Sequence, residues 1–175
     1  MRSFLIPLSA CFMLGACGSV VMSTTAVLGM SSPLEEDPAG YEIAVTIPEG
    51  VDVPRGGARL SVTNENTVHG IDEEQTYELQ RRATEEGQTL FRINPADLNK
   101  LRARQARIAK WEMEDPDANS GSFSVWVEFC AIGDGPSEDD VFNVSIRTKA
   151  DGRFMPLIRN AQVKDAIALL EENGG

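Results

Sequence analysis

Ser122-Phe123-Ser124-Val125-Trp126-Val127-Glu128-Phe129-Cys130 is the stretch on which the fold class turns. Phe123, Val125, Val127 and Phe129 stand two residues apart, so in an extended chain they share one face, while Ser124, Trp126, Glu128 and Cys130 share the other. A strand with one apolar and one more polar face belongs to an antiparallel sheet with a single fully buried side. A parallel strand would be apolar on both.

Working outward, the same period recurs. Tyr41, Ile43, Val45 and Ile47 alternate with Glu42 and Thr46 until Pro48-Glu49-Gly50 stops the run. Ala58, Leu60 and Val62 alternate with Arg59, Ser61 and Thr63. Tyr77 and Leu79 lead through a Glu85-Glu86-Gly87 turn to Phe91 and Ile93, which predicts a hairpin. Phe142, Val144 and Ile146 form the next strand, and Phe154 to Ile158 a further one, placed at an edge because Pro156 cannot donate to a central ladder. The pattern predicts a mainly β (α+β) domain: an antiparallel β-sandwich or curved sheet of about seven strands, with one long amphipathic helix packed on it. That helix is expected over residues 95–114, with Asn94 as N-cap, Pro95 at the first helical position and Pro116 beyond its end. At about 100° per residue, Leu98, Leu101, Gln105, Ile108 and Ala109 are read as its docking stripe. A short helix near Val163 to Leu170 closes the chain.

The 175 residues are one domain's worth, with 42% hydrophobic composition and a formal net charge of −11. That charge repels phosphates, which argues against a general nucleic-acid binder. At the N-terminus Arg2 precedes the mostly apolar run Phe4 to Leu14, and Leu14-Gly15-Ala16-Cys17 follows. The tetrad resembles the bacterial lipobox, in which the cysteine thiol is diacylated before the peptide ahead of it is removed. Leu8-Ser9-Ala10-Cys11 fits the same pattern, but leaves only Phe4 to Leu8 ahead of it, too short to engage the membrane. A single transmembrane helix is the competing reading, since Ser3 to Leu34 carries no charge; the small and polar residues from Gly18 to Ser32, and the lack of a following basic cluster, argue against it.

The resemblance to bacterial lipoproteins, and for the mature domain to the small lipoproteins common in proteobacteria, implies a signal peptide over 1–16, a lipidated tether over 17–38 and one β-rich periplasmic domain over 39–175. Gly18 after the acylated cysteine implies, by that family's sorting rule, the periplasmic face of the outer membrane. Processing would remove Arg2 and Cys11, leaving Cys130 without a disulfide partner. Cys130 is expected to be buried and unreactive, because no helix N-terminus or basic neighbour is at hand to lower its pKa.

Residues 91–115 hold six basic and four acidic side chains, and Arg147 to Lys164 hold five and one, so both run against the overall charge. Lys100, Arg104, Arg107 and Lys110 are read as a basic ridge opposite the apolar stripe, a possible docking surface for an anionic partner. Asp115, Asp117 and Asn119 resemble the start of a calcium loop, but the glutamate that would close it is replaced by Trp126; a helix-ending turn explains them as well. His69 stands near Asp72, Glu73 and Glu74, too few ligands for a zinc site. Asp134, Glu138, Asp139 and Asp140 sit on a hairpin loop that their charge keeps solvated. No nucleophile elbow, phosphate loop, dinucleotide fingerprint or H-E-x-x-H is present, so no catalytic residue or cofactor is assigned. The expected function is non-enzymatic: a lipoprotein held in the bilayer by acylated Cys17 that binds an envelope protein or peptidoglycan. The alternatives are a hydrolase built on the His69 loop, which needs Cys130 or two acids beside the imidazole, and a carrier with an apolar cavity between sheet and helix.

Overall fold

The computed structural model describes residues 20–25, 35–85 and 87–164. The alternating stretch that decides the class is the middle of β7 (Asn119–Ala131), and its apolar side chains all point into the core: Phe123, Val125, Val127 and Phe129 are buried. β4 (Ala58–Asn66) runs antiparallel to β7, from Ala58 opposite Val127 to Asn66 opposite Asn119. A short β3 (Val51–Asp52) meets β7 again at Ala131 and Cys130. β1 (Val20–Thr25) also lies on β7, with Val20 opposite Phe129 and Thr25 opposite Ser124.

β5 (Ile71–Glu85) is the hinge of the architecture. Its first half pairs with β4, from Ile71 to Glu78, and its second half pairs with β6 (Gln88–Ile93) across the Gly87 turn, with a bulge between Arg81 and Ala83. Beyond β6 come β2 (Glu42–Thr46), β8 (Val141–Arg147) and β9 (Met155–Gln162), giving the order β1-β7-β4-β5-β6-β2-β8-β9 with β3 on β7, all pairs antiparallel. Because one long strand serves both halves, the sheet curls over until its two inner faces meet. Phe129 of β7 packs on Phe142 of β8 at 4.8 Å between ring centroids, and Tyr41 meets Phe123 edge-on at 5.7 Å.

Among the described residues the architecture is thus one curled antiparallel sheet of nine strands with a helix: of the two expected forms it is the curved sheet and not the sandwich, with two strands more than the seven expected. The two additional strands are β1 and β3. β1 falls in the segment read as a tether, and the remainder of that segment is also bound where it is described. Pro38 is buried, the Tyr41 hydroxyl and the Gln105 amide both donate to the Glu36 carbonyl, and Glu36 pairs with Lys149 at 2.8 Å. Asp37 caps the Pro38–Gly40 turn and pairs with Arg102; the Ala39 amide, and then the Arg102 guanidinium, hold its carboxyl below the usual range.

The helix α1 (Leu98–Glu114) starts three residues later than expected. The Asn94 side chain accepts from the Ala96 amide and its carbonyl from the Asp97 amide, forming a turn that takes up Pro95. Asp97 then serves as the N-cap, its carbonyl accepting the first helical bond from Leu101. Of the expected closing helix, Val163 and Lys164 are helical and the remainder lies outside the described residues.

Candidate docking surfaces

The face that α1 buries consists of Leu101, Arg104, Gln105, Ile108 and Trp111. This corrects the expected stripe. Steps of three and four residues connect 101, 104, 105, 108 and 111, so Arg104 stands in the apolar arc, and Ala109, assigned to that arc, is exposed. Arg104 is only 8% exposed. It reaches under the β4–β5 hairpin to donate to the Asn64 side chain and, at 2.8 Å, to the Glu73 carbonyl, and it lies 3.6 Å from the Glu73 carboxylate. Gln105 donates to the Tyr41 hydroxyl at 2.9 Å.

The rest of the expected ridge is exposed but neutralised. Lys100 pairs with Asp97 at 3.1 Å, Lys110 with Glu114 at 3.6 Å, and Arg107 binds Glu73 while lying over the Trp111 ring at 5.1 Å. Each cation on this helix face already has an acid beside it, so little field is left for an anionic partner.

His69 sits at the tip of the β4–β5 hairpin. Its ring is 5.7 Å from that of Trp111, and its Nε2 is 3.4 Å from Glu114. Its amide donates to Asn66. The imidazole therefore closes the end of the helix, whereas Cys130 is buried at the opposite end of β7, across from Asp52 of β3. The two do not come together. Asp115, Asp117 and Asn119 do not converge either: Pro116–Ala118 form a 3-10 turn, and the Asn119 side-chain oxygen accepts from Asn66 Nδ2 at 2.7 Å as the chain enters β7. Among the described residues, no three His, Cys, Asp or Glu side chains are grouped to hold a metal ion.

Of the clefts on the described surface, one of about 480 Å³ opens where β4 and β5 diverge, between the Val53–Gly56 loop and β5, over Leu79 and Phe91. Arg81 spans its wall, bound to Asp52 at 2.6 Å and to the Val53 carbonyl at 2.7 Å. Two others lie between the Asp37–Gly40 turn and Thr148–Gly152, and between Gly50 and the Gly133–Asp140 loop. All three are surface clefts with charged rims, and His69 lines none of them.

The outward faces of the curled sheet differ in sign. On β4, β5 and β7 they carry Glu65, Asp72, Glu74, Glu78 and Glu128 against Arg59, which is paired with Glu128. On β2, β6 and β8 they carry Arg92 and Arg147 on either side of Glu42. Glu42 is 4% exposed and is bound by Arg82 at 2.8 Å and by Arg147, whose guanidinium lies 4.8 Å from the Phe154 ring. The basic bias of residues 147–164 thus falls on the sheet, whereas linear spacing favours the helix as the basic ridge. Strand pairing adds what linear spacing hides, by bringing Arg82 and Arg92 from a distant hairpin onto the same face as Arg147.

No protein-family model matches the chain, and no curated protein matches it. Among solved structures it is similar to the collagen binding domain of Erysipelothrix rhusiopathiae surface protein RspB, at 12% identity and a TM-score of 0.32, over 82% of this chain. The chain spans 44% of that structure's length. No described helix is long and apolar enough to cross a membrane.

Proposed function

We propose that the protein is a non-enzymatic envelope lipoprotein, anchored through acylated Cys17 at the periplasmic face of the outer membrane, whose β domain binds another envelope component. The observation that carries this reading is the tetrad Leu14-Gly15-Ala16-Cys17 at the end of the apolar run from Phe4. Three features favour binding over catalysis. The imidazole of His69 is engaged with Trp111 and Glu114. Cys130 is buried at the other end of the sheet. The outer faces of the sheet sort their charges by sign, which suits recognition of a charged partner.

Metabolic labelling of cells with a radioactive fatty acid tests the anchor. Label is expected in the wild-type protein, in the outer-membrane fraction, and is expected to be lost in Cys17→Ala. Equal labelling of the two would refute acylation at Cys17, and label confined to the inner membrane would refute the location.

A further inference from the structure

We propose that the end of the sheet formed by the last residues of β7, the Gly50 turn and the Gly133–Asp140 loop is seated on the membrane, and that the surface it meets is zwitterionic phospholipid. This rests on the reading of Cys17 as the acylated residue and adds which part of the domain the anchor brings to the bilayer. The observation that carries it is a length of chain. β1 begins at Val20, three peptide steps from Cys17, and three steps span at most about 11 Å. An acylated cysteine stands at headgroup level, in a layer about 5–7 Å deep, so the first residue of β1 is held at the bilayer surface.

Strand pairing decides which end of the domain follows. Val20 lies opposite Phe129 and Thr25 opposite Ser124, so β1 enters the sheet at the late end of β7 and leads away from the anchor along it. Past Phe129, β7 continues to Cys130 and Ala131, which pair with β3, and the Ile132 amide then donates to the Gly50 carbonyl at 2.8 Å. Gly50 in turn packs against the Gly135 carbonyl, so turn and loop make one continuous end beside the start of β1. Without the pairing of β1, about 20 residues would separate Cys17 from Asp37, and a flexible chain of that length lets its ends stand about 25 Å apart. The β4–β5 tip with Val68 and His69 lies a β7 length away, 13 residues or about 40 Å, which three peptide steps cannot reach.

The chemistry of this end names the kind of lipid. Ile132 and Val141, which flank the loop, are 49% and 39% exposed, and large apolar side chains of this kind are what an interfacial segment places at the headgroup boundary. Residues 131–140 hold Asp134, Glu138, Asp139 and Asp140 and no base, and Glu49 joins Asp134 and Asp140 around the cleft beside Ile132. An anionic lipid surface repels such an end. A zwitterionic headgroup such as ethanolamine phosphate carries its ammonium outermost, where the carboxylates meet it with attraction.

The test uses the protein as the cell makes it, purified in detergent and reconstituted into vesicles of phosphatidylethanolamine and phosphatidylcholine, with some of the latter spin-labelled near its headgroup. A nitrobenzoxadiazole fluorophore is attached at Ile132→Cys or at Val68→Cys, each with Cys130→Ala so that a single thiol reacts. Quenching at position 132 is expected to be several-fold stronger than at position 68. Met22→Pro with Ser23→Pro is expected to abolish that difference, because adjacent residues of an edge strand alternate in bonding to the neighbour and one of the two prolines must remove a bond to β7. Replacing part of the phosphatidylethanolamine by phosphatidylglycerol is expected to lower quenching at position 132 at low salt, and added salt to restore it. Thermal unfolding identifies a proline variant that fails to fold, and the lipid exchange then carries the comparison. Equal quenching at the two positions, stronger quenching at position 68, an unchanged difference in a folded proline variant, or quenching at position 132 that does not fall with phosphatidylglycerol would overturn the proposal. Mass spectrometry of the same preparation separates the two readings: protein without acyl chains on Cys17 overturns both, whereas acylated protein with an unquenched label at position 132 overturns this one alone.

Discussion

Arg104 carries more consequence than any other single side chain of the helix. In the unfolded chain its guanidinium is fully hydrated; in the fold it is buried and recovers that loss through Asn64, the Glu73 carbonyl and the nearby Glu73 carboxylate. Arg104→Ala removes all of these together and strands the Asn64 side chain, whose Nδ2 is already a buried atom without a partner. The expected cost is about 3 kcal/mol, measured by urea unfolding. Lys100→Ala and Lys110→Ala remove exposed ion pairs and should each change stability by less than about 1 kcal/mol. Similar losses at all three sites would mean that Arg104 is no anchor. Cys130 makes the opposite point, as a small residue whose role is to fill space. It is 8% exposed, so a thiol reagent is expected to modify it slowly in the folded protein and rapidly after denaturation. Fast stoichiometric labelling of the folded form would contradict that burial.

Elements show which parts of the architecture the sequence made legible. β4, β6, β7 and β8 pack an apolar face on a shared core, and their period of two states it directly. The first half of β5 is different. Its inward positions include Glu73, which Arg104 and Arg107 satisfy at the helix end of the core, and Gln75, whose side chain is exposed and donates to the Thr76 carbonyl, so no apolar alternation marks the strand. β1 and β3 were hidden for another reason. They are short, and their pairing with β7 depends on partners more than 70 residues away. For the candidate site, local reading found the cations but not their neighbours: Arg104 was assigned to the exposed arc although the spacing from Leu101 and Ile108 already put it inside. Loops that hold the elements together are equally specific. Gly50 has φ of 82°, and an added Cβ would collide with the Gly135 carbonyl group. Gly50→Ala therefore forces two loops apart as well as straining the backbone, with an expected loss of about 2–3 kcal/mol in unfolding free energy. A loss of only a few tenths would show that the Gly133–Asp140 loop yields freely.

At the scale of the whole molecule, the curled sheet and its helix enclose both of the chain's tyrosines, and this couples folding to alkaline pH. Burial raises the Tyr41 hydroxyl above its ordinary value of 10.0, and the negative Glu36 beside it adds to the shift, opposed by the Gln105 hydrogen bond. Burial also raises Tyr77, against the attraction of Arg104. Unfolded, both would ionise near pH 10. Folded, both keep their protons to higher pH, so above that point the native state binds more protons than the unfolded one. Stability from these two groups is then fully present below about pH 10 and falls as pH rises beyond it. Two measurements check this together. Tyrosinate absorbance of the folded protein should stay low through pH 10 and rise only with the loss of tertiary structure, as seen by tryptophan fluorescence. Replacing Tyr41 by Phe should remove its share of the alkaline slope, although it also forfeits the hydroxyl's bonds to Glu36 and Gln105, at about 1 kcal/mol near neutrality. Tyrosinate signal appearing near pH 10 with the fluorescence unchanged would mean that solvent reaches both rings, and the enclosure of Tyr41 between β2, β7 and the helix would have to be abandoned.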